Sequence, residues 1–191
     1  FSTKRAWDSV KASAPKVRWV NLVWHPPRIS KHAFCLGLAI LSAHRTRDKL
    51  LSLGLIHSAL CLFNCGENES EQHLFFECPY SQHIWSTVLN KCNISRQILP
   101  WPQEIQWMIE HTGDNKLPQA LRNLALAATI YHMWLERNRR AFKNSFLPPA
   151  SIITKIQCDV TSKMAGSENI LDLDEHHHSL GVNWGITGTG H

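Results

Sequence analysis

The sequence predicts a mainly α protein with little or no sheet, a small helical domain organised around one cysteine-bearing acidic loop. Three observations predict it. Apolar residues recur every three or four positions along several segments, and no segment alternates apolar and polar residues as a half-buried strand would. Residues 61–78 break the helical rhythm with the pattern Cys-x3-Cys-x7-His-x4-Cys. At 191 residues, 43% hydrophobic and 18% charged, the chain falls in the ordinary globular range and can bury a core. Its longest nearly uncharged apolar run, Leu124 to Leu135, is 12 residues, short of the roughly 20 that a bilayer span needs. The start, Phe1-Ser2-Thr3-Lys4-Arg5, has neither an initiator Met nor an apolar leader and reads as a cut inside a longer polypeptide.

The elements follow in order. Ser2 caps a short helix through Lys11, which Pro15 ends. The aromatic segment Val17 to Trp24 stops at His25-Pro26-Pro27, since a proline disfavours helix in the residue before it. Ser30 opens a helix with Phe34, Leu38 and Leu41 on one face and Cys35 and Ala39 beside it, all expected in the core. Thr46 is the expected N-cap of a short helix carrying Leu50, Leu51 and Leu53, with Gly54 as its stop. Pro79 suits the first position of a helix to about Asn90 whose apolar side is Tyr80, Ile84, Trp85 and Val88. Pro100 and Pro102 introduce an amphipathic segment with Ile105, Met108 and Ile109, ending at Gly113. The longest helix should run from Leu117 or Pro118 to about Phe142, with Leu117, Leu121, Leu124, Ala128, Tyr131 and Leu135 in one stripe and Ala120, Ala127, Ile130 and Trp134 in a second. That width marks it as the central packing element. Pro148-Pro149 and Ser151 start a last helix with Ile152, Ile153, Ile156 and Val160 before Gly166. The expected division is a domain over 1–145, a C-terminal helix over 146–165 and a disordered tail over 166–191, where His176-His177-His178 and late glycines replace apolar periodicity.

Of the six cysteines, three lie in the 61–78 loop while Cys35, Cys92 and Cys158 are scattered, which fits a reducing compartment and one metal site better than a disulfide framework. Thiolates and imidazoles hold Zn2+ tetrahedrally, and four such ligands fill the shell of a structural site. Cys61, Cys65, His73 and Cys78 form the leading quartet, with Gly66 supplying a permissive backbone after the second cysteine. A second quartet, Cys61, Cys65, Cys78 and His83, imitates the spacing of classical zinc fingers.

Charge is segregated. Residues 1–60 hold ten Lys and Arg against Asp8 and Asp48, and 116–163 hold eight against Glu136 and Asp159. Residues 61–115 between them carry seven acids against Lys91 and Arg96. Basic flanks of this kind suit either a phosphate-binding face or solvated helix surfaces. The contact candidates are Arg45, Arg47, Lys49, Arg137, Arg139, Arg140 and Lys143, with Trp24, Trp85, Trp101 and Trp107 as aromatic residues that either stack on bases or fill the core.

These residues also carry a family resemblance. Phe1-Ser2-Thr3-Lys4 with Ala6-Trp7, Val23-Trp24 before Pro27, Lys31-His32-Ala33-Phe34, Arg45-Thr46-Arg47-Asp48-Lys49-Leu50 and His73-Leu74-Phe75-Phe76-Glu77-Cys78-Pro79-Tyr80 stand in order, with Trp85 and the run Ile130 to Phe142 downstream. The sequence thereby resembles the zinc-binding domain that follows the reverse transcriptase domain in plant LINE-type (non-LTR) retrotransposons, a family also described as ribonuclease H-like. The resemblance covers most of residues 1–145. It implies that Cys61, Cys65, His73 and Cys78 are the ligands of a structural Zn2+, that the parental polymerase domain and nucleic acid, template RNA or target DNA, are partners, and that the protein is intracellular and nuclear. Two positions depart from the family pattern: three residues rather than two separate Cys61 from Cys65, and Gly37 stands where a large residue is common.

Enzymatic activity is not expected of this chain, although its parent polypeptide is by resemblance an RNA-directed DNA polymerase. Reverse transcription needs paired carboxylates for two metal ions, and no Asp-Asp pair occurs. Ribonuclease H chemistry needs acids mounted on a sheet, and four-ligand zinc leaves no open position for substrate. No catalytic residue, small-molecule substrate or membrane partner is expected. The sequence points to a zinc-stabilised accessory module that binds nucleic acid through basic helix ends. A domain packing on the polymerase, or a non-functional transposon remnant, are the other readings.

Overall fold

The computed structural model describes residues 17–111, 116–166 and 178–186. The expected first helix over Ser2 to Lys11 lies outside them. Eight α-helices are present among the described residues: α1 (Val20–Val23), α2 (Ser30–Ile40), α3 (Arg47–Ser52), α4 (Pro79–Lys91), α5 (Trp101–Glu110), α6 (Lys116–Lys143), α7 (Pro149–Ala165) and α8 (His178–Trp184). A π-helical turn, His73–Glu77, precedes α4. Among the described residues there is no strand, only a single antiparallel bridge between Leu60 and Asn68. None of these helices is long and apolar enough to cross a membrane.

The centre is α6, whose residues Leu121, Leu124, Ala125, Leu126, Ala128, Ile130 and Met133 are all nearly inaccessible to solvent. A helix apolar around most of its girth must be enclosed. Helices α7 and α2 both pack against it, and α4 packs against both α6 and α7. Phe75, Phe76, Trp85 and Trp101 fill the space between the π turn, α4 and α5, with ring centroids 5.3–5.5 Å apart. Burying that much aromatic surface makes this cluster one of the principal stabilising contributions.

The face that α2 buries differs from the expected one. Phe34 and Leu41 are 60% and 62% exposed, and the buried side is instead His32, Ala33, Cys35, Leu36 and Ala39. Small residues at Ala33 and Ala39 let α2 approach α6 closely, since the spacing of packed helices follows the side chains at the contact. Helix α3 departs in another way. It buries no residue, and Leu51 and Leu53 are 41% and 56% exposed. Gly54 ends it as expected, with φ +69°. Thr46, however, makes no capping hydrogen bond with its side chain. The Arg47 backbone N–H donates instead to Glu69 Oε1 at 2.9 Å, so a carboxylate 22 residues away replaces the local cap.

Part of the stretch expected to be a disordered tail is ordered. Residues 178–184 form α8, which sets Leu180 and Trp184 into the core. Lys91 Nζ donates to the Asn183 carbonyl at 3.0 Å, and Gln157 Nε2 donates to that of Trp184. A fully buried indole supplies the apolar area that the polar composition around it conceals.

Candidate metal centre

The loop from Ala59 to Cys78 is folded by its own backbone before any side chain is considered. Cys61 N–H donates to the Glu67 carbonyl at 2.8 Å, and Glu69 N–H donates to that of Ala59 at 2.7 Å, closing a narrow ring. Within the ring, Asn64 has φ +60° and Gly66 φ +90°. Two left-handed residues turn the chain sharply enough to bring Cys65 back over Cys61 despite three intervening positions. The longer spacing is thus absorbed locally. Phe63 N–H points to Cys61 Sγ at 3.4 Å, a donor that favours the thiolate.

The other two candidate ligands are brought together by the π turn. Ser70 receives the His73 N–H on its side chain at 3.1 Å, and the Cys78 N–H donates to the His73 carbonyl at 2.7 Å. This i to i+5 bond is the wider closure of a π-helix, a form that recurs at functional sites. Cys78 then stands as the N-cap of α4, with Pro79 as its first residue.

One donor atom from each of Cys61, Cys65, His73 and Cys78 lies within 4.8 Å of the others. Cys61 Sγ is 3.9 Å from Cys78 Sγ, and Cys65 Sγ is 3.1 Å from His73 Nε2. A tetrahedral Zn2+ with ordinary Zn–S and Zn–N lengths sets such pairs about 3.8 and about 3.6 Å apart. The donor set therefore fits zinc with shifts of about half an ångström. His83, the alternative fourth residue, is exposed and does not belong to the cluster. Cys61, His73 and Cys78 are buried. The Cys61 S–H donated to it draws the Cys78 thiol down to about 5, and the same bond pushes Cys61 up. That contact favours the thiolate, the form in which cysteine binds a metal.

The acids and bases around the loop meet one another. Glu69, fully buried, accepts from Arg137 Nε at 3.0 Å and Nη2 at 2.8 Å. Glu71 accepts from Lys49 Nζ at 2.8 Å and lies 3.1 Å from His44 Nδ1. Glu136 binds Arg140 Nε at 2.8 Å, lies 3.3 Å from Arg139 Nε and caps the Leu147 N–H. Arg47 donates to the Ser58 carbonyl through both Nε and Nη2. Of the seven cations suggested as phosphate contacts, only Arg45 and Lys143 are classed as exposed, and Arg137 is 4% exposed. Trp85 and Trp101 are core, Trp107 is half-buried beneath Arg96, and Trp24 is 44% exposed beside Arg28. Sequence reasoning missed these pairings, although the signal was present: an acidic segment between two basic ones is what internal ion pairing requires.

A family model described as zinc-binding in reverse transcriptase matches residues 1–85. Residues 1–85 are similar to that zinc-binding family, and the Cys/His cluster within them fits zinc binding. All four clustered ligands fall inside the match, which ends in α4. The zinc-binding domain is an accessory unit and not the catalytic part of a reverse transcriptase. The cluster of Cys61, Cys65, His73 and Cys78 fits a structural Zn2+, and an ion there would join the Cys61–Cys65 ring to the π turn. No curated protein and no solved structure matches the chain.

Proposed function

We propose that the zinc-binding domain holds nucleic acid, template RNA or target DNA, for a polymerase domain of the same polypeptide. The observation that supports this reading is the exposed surface around the start of α2. Trp24 offers an exposed indole with the Arg28 guanidinium 5.9 Å from its ring centre, and Lys31 follows on the first turn of α2. An exposed aromatic beside cations suits a stacked base with its phosphate. Arg45 and Lys143 add exposed positive charge elsewhere. The paired cations Lys49, Arg137, Arg139 and Arg140 contribute to the fold first, so binding is of moderate strength. Zinc takes no part in contact; it shapes the loop whose carboxylates hold the basic helix ends.

Fluorescence anisotropy with single-stranded RNA and DNA across a salt series tests the reading. Affinity is expected to fall with salt and to drop in Trp24→Ala and in Arg28→Ala with Lys31→Ala, with Arg137→Lys as a comparison that should act through stability. Undetectable or salt-independent binding overturns it. A specific observation favours a second reading, docking on the polymerase: Phe34, Leu41, Leu53, Leu55 and Leu60 are each more than half exposed. Capture of a polymerase fragment after nuclease treatment, lost in Leu55→Asp, would favour docking.

A further inference from the structure

A second group of metal-type donors lies away from the cysteine loop, where α2, α6 and α7 meet. His32, His132 and Asp159 each offer one donor atom, and these lie within 4.8 Å of one another. His132 Nε2 is 2.7 Å from Asp159 Oδ2, and His32 Nε2 is 3.3 Å from the same oxygen. His32 is 1% exposed, yet neither of its ring nitrogens has a hydrogen-bond partner. A buried imidazole without a partner is costly. Its ring is nonetheless held in place, against Tyr131 at 4.3 Å and edge-on to His132 at 5.6 Å.

We propose that His32, His132 and Asp159 form a second divalent-metal site, selective for a nitrogen- and oxygen-preferring transition ion such as Zn2+, Co2+ or Fe2+. Two imidazoles and a carboxylate are the ligand types those ions take, and the harder Mg2+ and Ca2+ favour all-oxygen shells. The dimensions agree. An ion about 2.0–2.2 Å from each ligand sets neighbouring donors about 3.3–3.6 Å apart. His32 and Asp159 already stand at that separation, and Asp159 needs to withdraw from His132 by about 0.6 Å. The Asp159 side chain is 33% exposed, which leaves one side of the ion open to water. Lys31 and Lys155 lie close enough to oppose a cation, and the site is therefore weaker than the thiolate site.

Three protein ligands with an open position differ from the closed thiolate shell, and Co2+ distinguishes the two. The thiolate site gives intense sulfur-to-cobalt charge transfer; the histidine–aspartate site gives only weak visible bands. The expected result for the full chain is two Co2+ bound, falling to one in Asp159→Asn and in His32→Gln with the charge-transfer band retained. That band, with unchanged helicity, shows that the variants are folded, and Asp159→Asn at a half-exposed position decides the matter if His32→Gln unfolds. One Co2+ in the unaltered chain, or a second ion that survives Asp159→Asn, overturns the proposal. A missing charge-transfer band instead overturns the cysteine site alone.

Discussion

At the scale of single residues, the decisive contacts are between groups far apart in sequence. Cys78 meets Cys61 because the π turn carries it there, while His83, five residues further on, faces solvent. Cys78→Ala should therefore abolish zinc stoichiometry and lower helicity, and His83→Ala should change neither; elemental analysis with far-UV circular dichroism reads both. Glu69 presents a second case. It is fully buried, satisfies two N–H groups of Arg137 and caps α3. Glu69→Ala leaves a buried guanidinium without its partner, a loss of about 3–5 kcal/mol. Exposed Glu67→Ala should stay within about 0.5 kcal/mol in the same denaturant titrations. Equal effects from the two would show that the ion pair does not hold the loop.

At the scale of elements, helices are held by two different means. Helix α2 is held by packing, and its buried and exposed faces are opposite to those its largest side chains suggest. Leu36→Ala should cost about 2–5 kcal/mol because the removed atoms leave a cavity against α6. Phe34→Ala, at a residue 60% exposed, should cost about 0.5 kcal/mol or less. The reverse order in chemical denaturation would restore the face first expected. Helix α3 is held by charge. It buries nothing and is tied down through Glu69 and through the Lys49–Glu71 pair, so its position depends on the loop and, through the loop, on zinc.

At the scale of the whole molecule, the zinc loop acts as a connector. Its Glu69 carboxylate reaches α3, 22 positions back in the chain, on one side and the C-terminal part of α6, 68 positions on, on the other. Stability should also follow pH in a defined window. Burial holds His25 down to about 4 from an ordinary 6.5. Between those values the unfolded chain binds more protons than the folded one, so this part of the stability is complete above about 6.5 and is lost as pH falls through 4. Thermal unfolding across that range should show a shallower pH dependence in His25→Gln; identical profiles would exclude His25 as a contributor.

The helical class, the start of α4 at Pro79, the extent and central place of α6 and the cluster of four zinc-type donors were legible from the sequence, because each rests on short-range regularity: a 3.6-residue period, a proline that suits a first turn, or ligand types at chelating spacing. Other features depend on what lies opposite, and no local pattern carries that information. Phe34 and Leu36 are both apolar, and only the position of α6 decides which is buried. Arg45 and Arg137 are both basic, and only the depth of Glu69 decides which remains for solvent or phosphate. The sequence by itself determined which residues are able to bind metal and form helices. The tertiary structure alone decided which charges are spent within the fold and brought His32, His132 and Asp159 together, because burial and pairing are properties of the space between elements.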